Sequence, residues 1–410
     1  MIATSFVAAM SVGLQVAHLQ NGLTVIVEPG KEKLAAIRFC ARFDTNDPIE
    51  LGGGEVLAIA LMRETDPLEV VNLRKMAWAA GGDLVASFQG GLLSIEATVP
   101  QDRLNTSLSL ISRLIRRAEF SDGVAVLAYE SYWKQLSNSN SDPIGYMSRY
   151  YSVGERCGPV ELNSVSGAQL SALKAKLVRP ERSVLVVTGT TDADSSTESA
   201  SKAFGAWNAG TQKGAKKLMP ASQRSGPLYE PTASGFVDGP APASPDFPAW
   251  VIAVNAIGRG KSCTLYQALR KDEGLAYRWT TQIVSAPTGS RAIFTTGFLA
   301  ASEQLIEVFK GAITDVSRLT DDRLARAKAI ALADYASQPR PSRTSVAPFE
   351  VGHSTPQDRA FWLSWWELVG QGAKNDANFS QKLESATNDE VRAAWKNALK
   401  TVRVRGWRNV

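Results

Sequence analysis

The sequence predicts an α+β fold of two homologous domains, each a mainly antiparallel sheet with helices packed on one face. Three observations predict it. An apolar hairpin followed by an amphipathic helix occurs over residues 84–117 and recurs over 277–319, about 200 residues on in a chain of 410. Each half then finishes with a capped helix and a short apolar strand, over 166–188 and again over 387–406. Signals for long parallel crossovers are few, which favours hairpin-connected strands.

Taken in order, residues 19–28 (LQNGLTVIVE) read as a strand opened by an Asn21-Gly22 turn and ended by Pro29-Gly30. Leu34–Phe43 is a second strand. Glu55–Met62 is an apolar, buried helix, and Pro67–Ala80 a helix with proline at its first position and Gly81-Gly82 after its end. Leu84–Phe88 and Leu92–Val99 form the first hairpin, and Asp102–Arg117 carries Leu104, Leu108 and Ile111 on one helical face. Helices follow over 124–136 and 144–153. Ser166–Leu177 and Ser183–Thr188 close the half as helix and strand. In the second half the expected elements are helices at Asp246–Ile257 and Ser262–Lys271, strands at Tyr277–Ser285 and Arg291–Leu299, and a helix at Ser302–Leu319. Thr387–Leu399, which starts with the capping-box pattern Thr387-Asn-Asp-Glu390, and Val402–Gly406 complete it.

Between the halves the chemistry changes. Residues 208–228 hold four cations (Lys213, Lys216, Lys217, Arg224) and no carboxylate, and Pro and Gly stay dense to Pro248. The expected organisation is therefore a first domain over 15–207, a basic linker and lead-in over 208–245, and a second domain over 246–410.

Composition narrows the function. Hydrophobic residues at 44% and charged residues at 21% describe a globular protein. The net charge of +5 comes from 45 Lys and Arg scattered among 40 Asp and Glu, with no basic stripe interleaved with aromatics, so nucleic acid is a poor partner. Three distant cysteines (Cys40, Cys157, Cys263) suggest neither a disulfide framework nor a zinc ribbon. The only histidines are His18 and His353, so no helix can carry a two-histidine metal site. No stretch reaches the length of a membrane-spanning helix. The apolar start, MIATSFVAAMSVGL, has no Lys or Arg before it and reads either as a weak signal peptide or as a first strand. A bacterial-type soluble protein of cytoplasm or periplasm is the expectation.

One stretch concentrates chemistry: Gly258–Tyr277, GRGKSCTLYQALRKDEGLAY. Gly258 and Gly260 permit unusual backbone conformations, Ser262 can cap a short helix, and Leu265, Ala268 and Leu269 form its apolar face. Arg270 closes that helix, Gly274 takes the left-handed position after it, and Ala276-Tyr277 start a strand. Arg270 and Tyr277 then flank one tight reversal and can offer a guanidinium and a phenol to one ligand. The plain alternative is a solvated Arg and a half-buried Tyr.

These residues resemble the pitrilysin/insulinase family of inverted-motif zinc peptidases, which includes mitochondrial processing peptidase and its non-catalytic relatives. LQNGLTVIVEP looks like the family's first strand, LVRPERSVLVVTGTTD like the end of its first domain, and LYQALRKDEGLAY like a well-known stretch of its second. The resemblance implies half of a peptidase clamshell, two such halves enclosing a chamber where an extended peptide adds to a sheet edge. It places Arg270 and Tyr277 on the family's Arg/Tyr pair, in trans to a partner's metal site; Gly258 and Gly260 are candidate substrate-binding positions that let substrate backbone approach, or else plain punctuation of the helix turn. The family's His-x-x-Glu-His helix is matched by GGGEVLAIALMRET, where Glu55, Ala58 and Ile59 stand for His, Glu and His. One carboxylate cannot replace the three protein ligands of a catalytic zinc. The implied protein carries no cofactor of its own and is inactive alone. It binds peptide beside a homologous zinc-bearing subunit, or associates with itself; the alternative is a structural or assembly protein of the same ancestry.

Overall fold

In the computed structural model, residues 13–43, 45, 47–63, 75, 78, 84–89, 91–116, 120–140, 162–208, 217–220, 232–297, 303–336, 353 and 355–407 are described. The apolar start before residue 13, nearly all of the helix expected over 67–80, the helix expected over 144–153 and most of the basic stretch 208–228 lie outside them.

The first half is built on strands β1 (Gln15–His18), β2 (Thr24–Pro29), β3 (Leu34–Arg42), β4 (Leu84–Gln89), β5 (Leu92–Pro100) and β6 (Ser183–Thr190), in the order β1-β2-β6-β3-β5-β4. The expected turn at Asn21-Gly22 is present, with Gly22 at φ +91°, and it turns the chain from β1 back into β2, which starts at Thr24. Asn21 fixes that turn by donating from Nδ2 to the carbonyls of Phe204 and Trp207. β2 and β6 run parallel and every other pair is antiparallel. The sheet is thus mixed, since β6 returns from a helical excursion to insert between β2 and β3.

Helices α1 (Pro48–Leu61), α2 (Leu104–Arg116), α3 (Asp122–Asn140), α4 (Gly167–Leu177) and α5 (Ala193–Phe204) cover one face of this sheet. Local signals start them: the Asp47 side chain accepts from Ile49 N at the head of α1, and Ser166 with Gln169 forms a capping box on α4. Val25, Val27, Ile37, Phe39 and Ile95 from the strands meet Leu57, Leu108, Ile111 and Leu170 from the helices in one core.

The second half has strands β7 (Thr232–Gly239), β8 (Trp279–Ala286), β9 (Gly289–Gly297) and β10 (Arg403–Trp407), all antiparallel, in the order β10-β7-β9-β8. That order repeats β6-β3-β5-β4, so the internal repeat is topological as well as sequential. It also corrects the reading of 208–245 as linker and lead-in: residues 232–239 are β7, an interior strand and the counterpart of β3. TASGFVDG hides this because two inward positions must be glycine. A Cβ on Gly235 would stand 2.5 Å from Ile313 Cδ1, and one on Gly239 2.2 Å from Trp250. Helices α6 (Phe247–Gly258), α7 (Glu303–Thr314), α8 (Asp321–Ala336), α9 (Pro356–Leu368), α10 (Asn375–Ser385) and α11 (Asn388–Ala398) belong to this half. Thr387 and Glu390 make the expected capping box on α11.

The halves are joined by α9, a helix of the second half that lies against β3 and β6 of the first. Helices therefore cover both faces of the first sheet. Ile26, Ala36, Cys40, Val184 and Val186 on its outer face share a core with Trp362, Leu363 and Trp366. Polar contacts fix the seam: Arg38 donates to Ser364 Oγ at 2.9 Å, and Arg42 to the Leu368 carbonyl at 2.9 Å.

At its centre Arg359 bridges Glu28 of β2 (2.8 Å) and Asp376 of α10 (2.5 Å). Asp376 also accepts from the Tyr335 hydroxyl at 2.5 Å and lies 3.0 Å from His353 Nε2. Burial alone would raise the Asp376 carboxyl. The hydrogen bond from His353, the Arg359 charge and the Tyr335 hydroxyl outweigh it and hold the group at about 2.

Candidate functional site

The stretch 258–277 forms a compact turn, helix and reversal at the head of β8. Gly260 takes φ +76°, and Cys263 N donates back to its carbonyl. That turn consumes the residues through Cys263, so the cap shifts by one position from the expected Ser262. The Tyr266 N–H is taken by Cys263 Sγ at 3.3 Å. Burial pushes this thiol up to about 11, against the hydrogen bonds from the Tyr266 and Leu265 backbone, so it is an inert capping group.

The expected α-helix over 262–271 is instead a short start at 264–265 followed by a π-helix, Tyr266–Asp272. Such segments are rare and frequently occur at functional sites. It ends with the Leu275 and Ala276 N–H groups both returning to the Leu269 carbonyl (2.7 and 3.2 Å), while Gly274 sits at φ +66°. The chain is still reversing there, which is why β8 begins at Trp279 rather than at Tyr277.

This geometry does bring Arg270 and Tyr277 together. The guanidinium carbon lies 5.4 Å from the Tyr277 ring centroid and 5.9 Å from that of Tyr266. Two aromatic contacts thus hold one cation. Tyr266 packs edge-on against Trp279 at 5.9 Å, and Trp279 Nε1 donates to the Gly258 carbonyl at 3.0 Å, tying the cluster to the end of α6. Arg270 is exposed and the Tyr277 side chain is 60% exposed. Among the described residues the guanidinium has no carboxylate partner, and the phenol hydroxyl makes no hydrogen bond. Tyr266 and Trp279 were not singled out by the sequence reasoning, although the four-residue spacing of Tyr266 and Arg270 was a usable signal.

The two glycines play different parts. Gly258 is buried, and a Cβ there would lie 1.9 Å from Thr281 Oγ1, so the close approach it permits is that of β8 itself. Its expected contact with substrate backbone gives way to helix-on-strand packing. Gly260 is exposed and sets the left-handed turn.

Glu55, Ala58 and Ile59 lie on α1, packed against β4. Ala58 is in the core, while Glu55 and Ile59 share the half-buried stripe of the helix. That stripe offers one carboxylate and an aliphatic side chain where the inverted motif would offer two imidazoles. Among the described residues no group of three or more His, Cys, Asp or Glu is arranged to hold a metal ion, and no helix is long and apolar enough to cross a membrane.

Residues 164–331 match the family described as Peptidase M16 inactive domain, and along nearly its whole length the chain has the fold of solved structures described as a peptidase M16 inactive domain and a putative M16-like peptidase. The expected resemblance to M16-type peptidases is thereby shown in the inactive-domain match and in the fold. A protease from Helicobacter pylori superposes with TM-score 0.78 at 14% identity, over 97% of this chain and 100% of that one. A Peptidase M16 inactive domain from Pseudomonas fluorescens gives TM-score 0.74 at 14% identity, over 96% and 97%. At this identity the likeness is one of fold. No curated protein sequence matches the chain.

Proposed function

We propose that this chain is the zinc-free, substrate-binding subunit of a heterodimeric metallopeptidase, with Arg270 and Tyr277 positioning peptide in a chamber shared with a zinc-bearing homologous subunit. The observation that carries the reading is the cradle itself. Tyr266 and Tyr277 hold the Arg270 guanidinium by its flanks, leaving its N–H donors and the Tyr277 hydroxyl without partners among the described residues. Two such donors can converge on a peptide carbonyl and strengthen as it becomes an oxyanion.

The cradle stands at the head of β8, which is an edge strand among the described strands. An extended peptide can pair with such an edge through backbone hydrogen bonds. The partner contributes zinc and general base, because α1 offers neither imidazole nor a properly placed glutamate.

Co-purification from the native source, followed by a chelator-sensitive peptidase assay with and without this chain, tests the reading. Activity that requires both subunits supports it. A zinc-bearing subunit fully active alone, or a chain that hydrolyses peptide with its own tightly held zinc, overturns it and leaves the structural or assembly role.

A further inference from the structure

A second feature of the same segment is not used by the Arg/Tyr cradle. The turn set by Gly260 carries Lys261 and Ser262 to the rim of a cavity of about 390 Å³, closed on the other side by the start of α8. Its charged lining is Lys261, Arg323 and Arg326 against Asp322, with Ser262 and Gln267 supplying neutral hydrogen-bonding groups.

The three cations are not equivalent. Arg326 is engaged with Asp322 at 3.1 Å and is exposed. Arg323 spends its Nε on the Ser262 carbonyl at 2.7 Å and its Nη1 on the Arg318 carbonyl, so among the described residues its Nη2 edge is left over. Lys261 has no ion-pair partner among the described residues.

The placement of Arg323 breaks a local rule. It is the third residue of α8, where the helix dipole disfavours a cation, and Arg318 stands nearby with the same charge. Burial disfavours its charged form further, more than the charges of Asp322 and Asp272 restore it. Locally unfavourable choices of this kind concentrate at functional sites. An oxyanion in the cavity would meet Lys261 and the spare edge of Arg323 together and offset the repulsion of Arg323 by Arg318.

We propose that this cavity is a subsite for a carboxylate of the bound peptide, either its C-terminal carboxylate or an acidic side chain. The inference rests on the peptide-binding reading, because Gln267 of the cavity lies in the same π-helical segment as Tyr266 and Arg270. A peptide held at the cradle therefore has the cavity beside it. The volume, at the lower end of small-ligand pockets, suits a peptide end or side chain better than a monatomic ion.

The test is calorimetric binding of three decapeptides of one neutral sequence: amide-ended, carboxylate-ended, and amide-ended with one internal Glu. The full chain is used as wild type, Lys261→Gln and Arg323→Gln. At least one carboxylate peptide should bind wild type about tenfold more tightly than the neutral one, as charge-assisted contacts imply. The arm that gains identifies the source of the carboxylate. That preference should vanish in Lys261→Gln, while the neutral peptide keeps its affinity. Lys261 is exposed, so this variant decides the matter if Arg323→Gln, which loses two carbonyl contacts, fails to fold.

Equal binding of all three peptides to wild type overturns the subsite and leaves the cradle standing. Loss of the neutral peptide in Lys261→Gln overturns it too. If no peptide binds, the peptide reading fails and takes the peptide subsite with it. A titration with inorganic phosphate then reports separately whether Lys261 holds an anion at all.

Discussion

Arg359→Met is the sharpest test of how the two halves are held together. The substitution keeps an unbranched side chain and removes the charge that bridges Glu28 and Asp376, both less than a tenth exposed. Asp376 keeps the Tyr335 hydroxyl and His353, whereas the Glu28 carboxylate loses the bonds it receives from Arg359 Nε and Nη2. Breaking a buried pair by removing one partner costs about 3–5 kcal/mol, and the lower end applies because one carboxylate is left stranded rather than two. Unfolding entropy for 410 residues is about 0.9 kcal/mol/K, so the thermal midpoint should fall by about 3–4 °C if the halves unfold together. Adding Glu28→Gln should recover much of the loss, since the stranded charge is its source. Differential scanning calorimetry of wild type, the single variant and the double variant reads this directly. A drop below about 1 °C in the single variant, or no recovery in the double, would refute the bridge as the tie between halves.

Two further outcomes follow from the same structure. Asp376 sits at about 2 when folded, against 3.8 ordinarily, so its contribution is fully present above pH 4 and is lost as pH falls through 2. Acid titration of stability should show about 2 kcal/mol lost over that window in wild type and markedly less in Asp376→Asn; equal losses would contradict the assignment. Gly258→Ala should lower stability by about 1–3 kcal/mol, because the new methyl would collide with Thr281, and leave peptide affinity unchanged in the folded fraction; weakened peptide binding at full stability would return Gly258 to the binding surface.

Much of this fold was legible because a hairpin followed by an amphipathic helix recurs in each half and capping residues mark helix starts such as those of α4 and α11. The hairpin-to-helix repeat led to two matching sheets, and Thr387 with Glu390 marked α11 correctly. What escaped had physical reasons. β7 carries glycines that packing against Ile313 and Trp250 requires, and those glycines read as loop. α9 is buried between two sheet-bearing halves, so FWLSWWEL shows no single apolar stripe to identify it as a helix face. β6 lies parallel to β2 through a pairing set by tertiary closure, with no signal in its own residues. At the candidate site, spacing correctly brought Arg270 and Tyr277 together. It missed the flanking Tyr266, although an i,i+4 spacing from Arg270 puts the two on one helical face. That α1 carries no histidine is visible in the sequence itself.

The most direct test of the substrate-gripping role is the turnover of the reconstituted two-subunit peptidase carrying Tyr277→Phe or Arg270→Ala. The Tyr277 ring is retained in the first variant and only a hydroxyl without a partner among the described residues is removed, so thermal midpoint and dimer formation should be those of wild type. Removing one donor aimed at a developing oxyanion costs about a hundred- to thousandfold in kcat, and Arg270→Ala should raise KM as well. The account predicts those losses at unchanged stability. Wild-type kcat and KM in both variants, with the pair intact and folded, would contradict it.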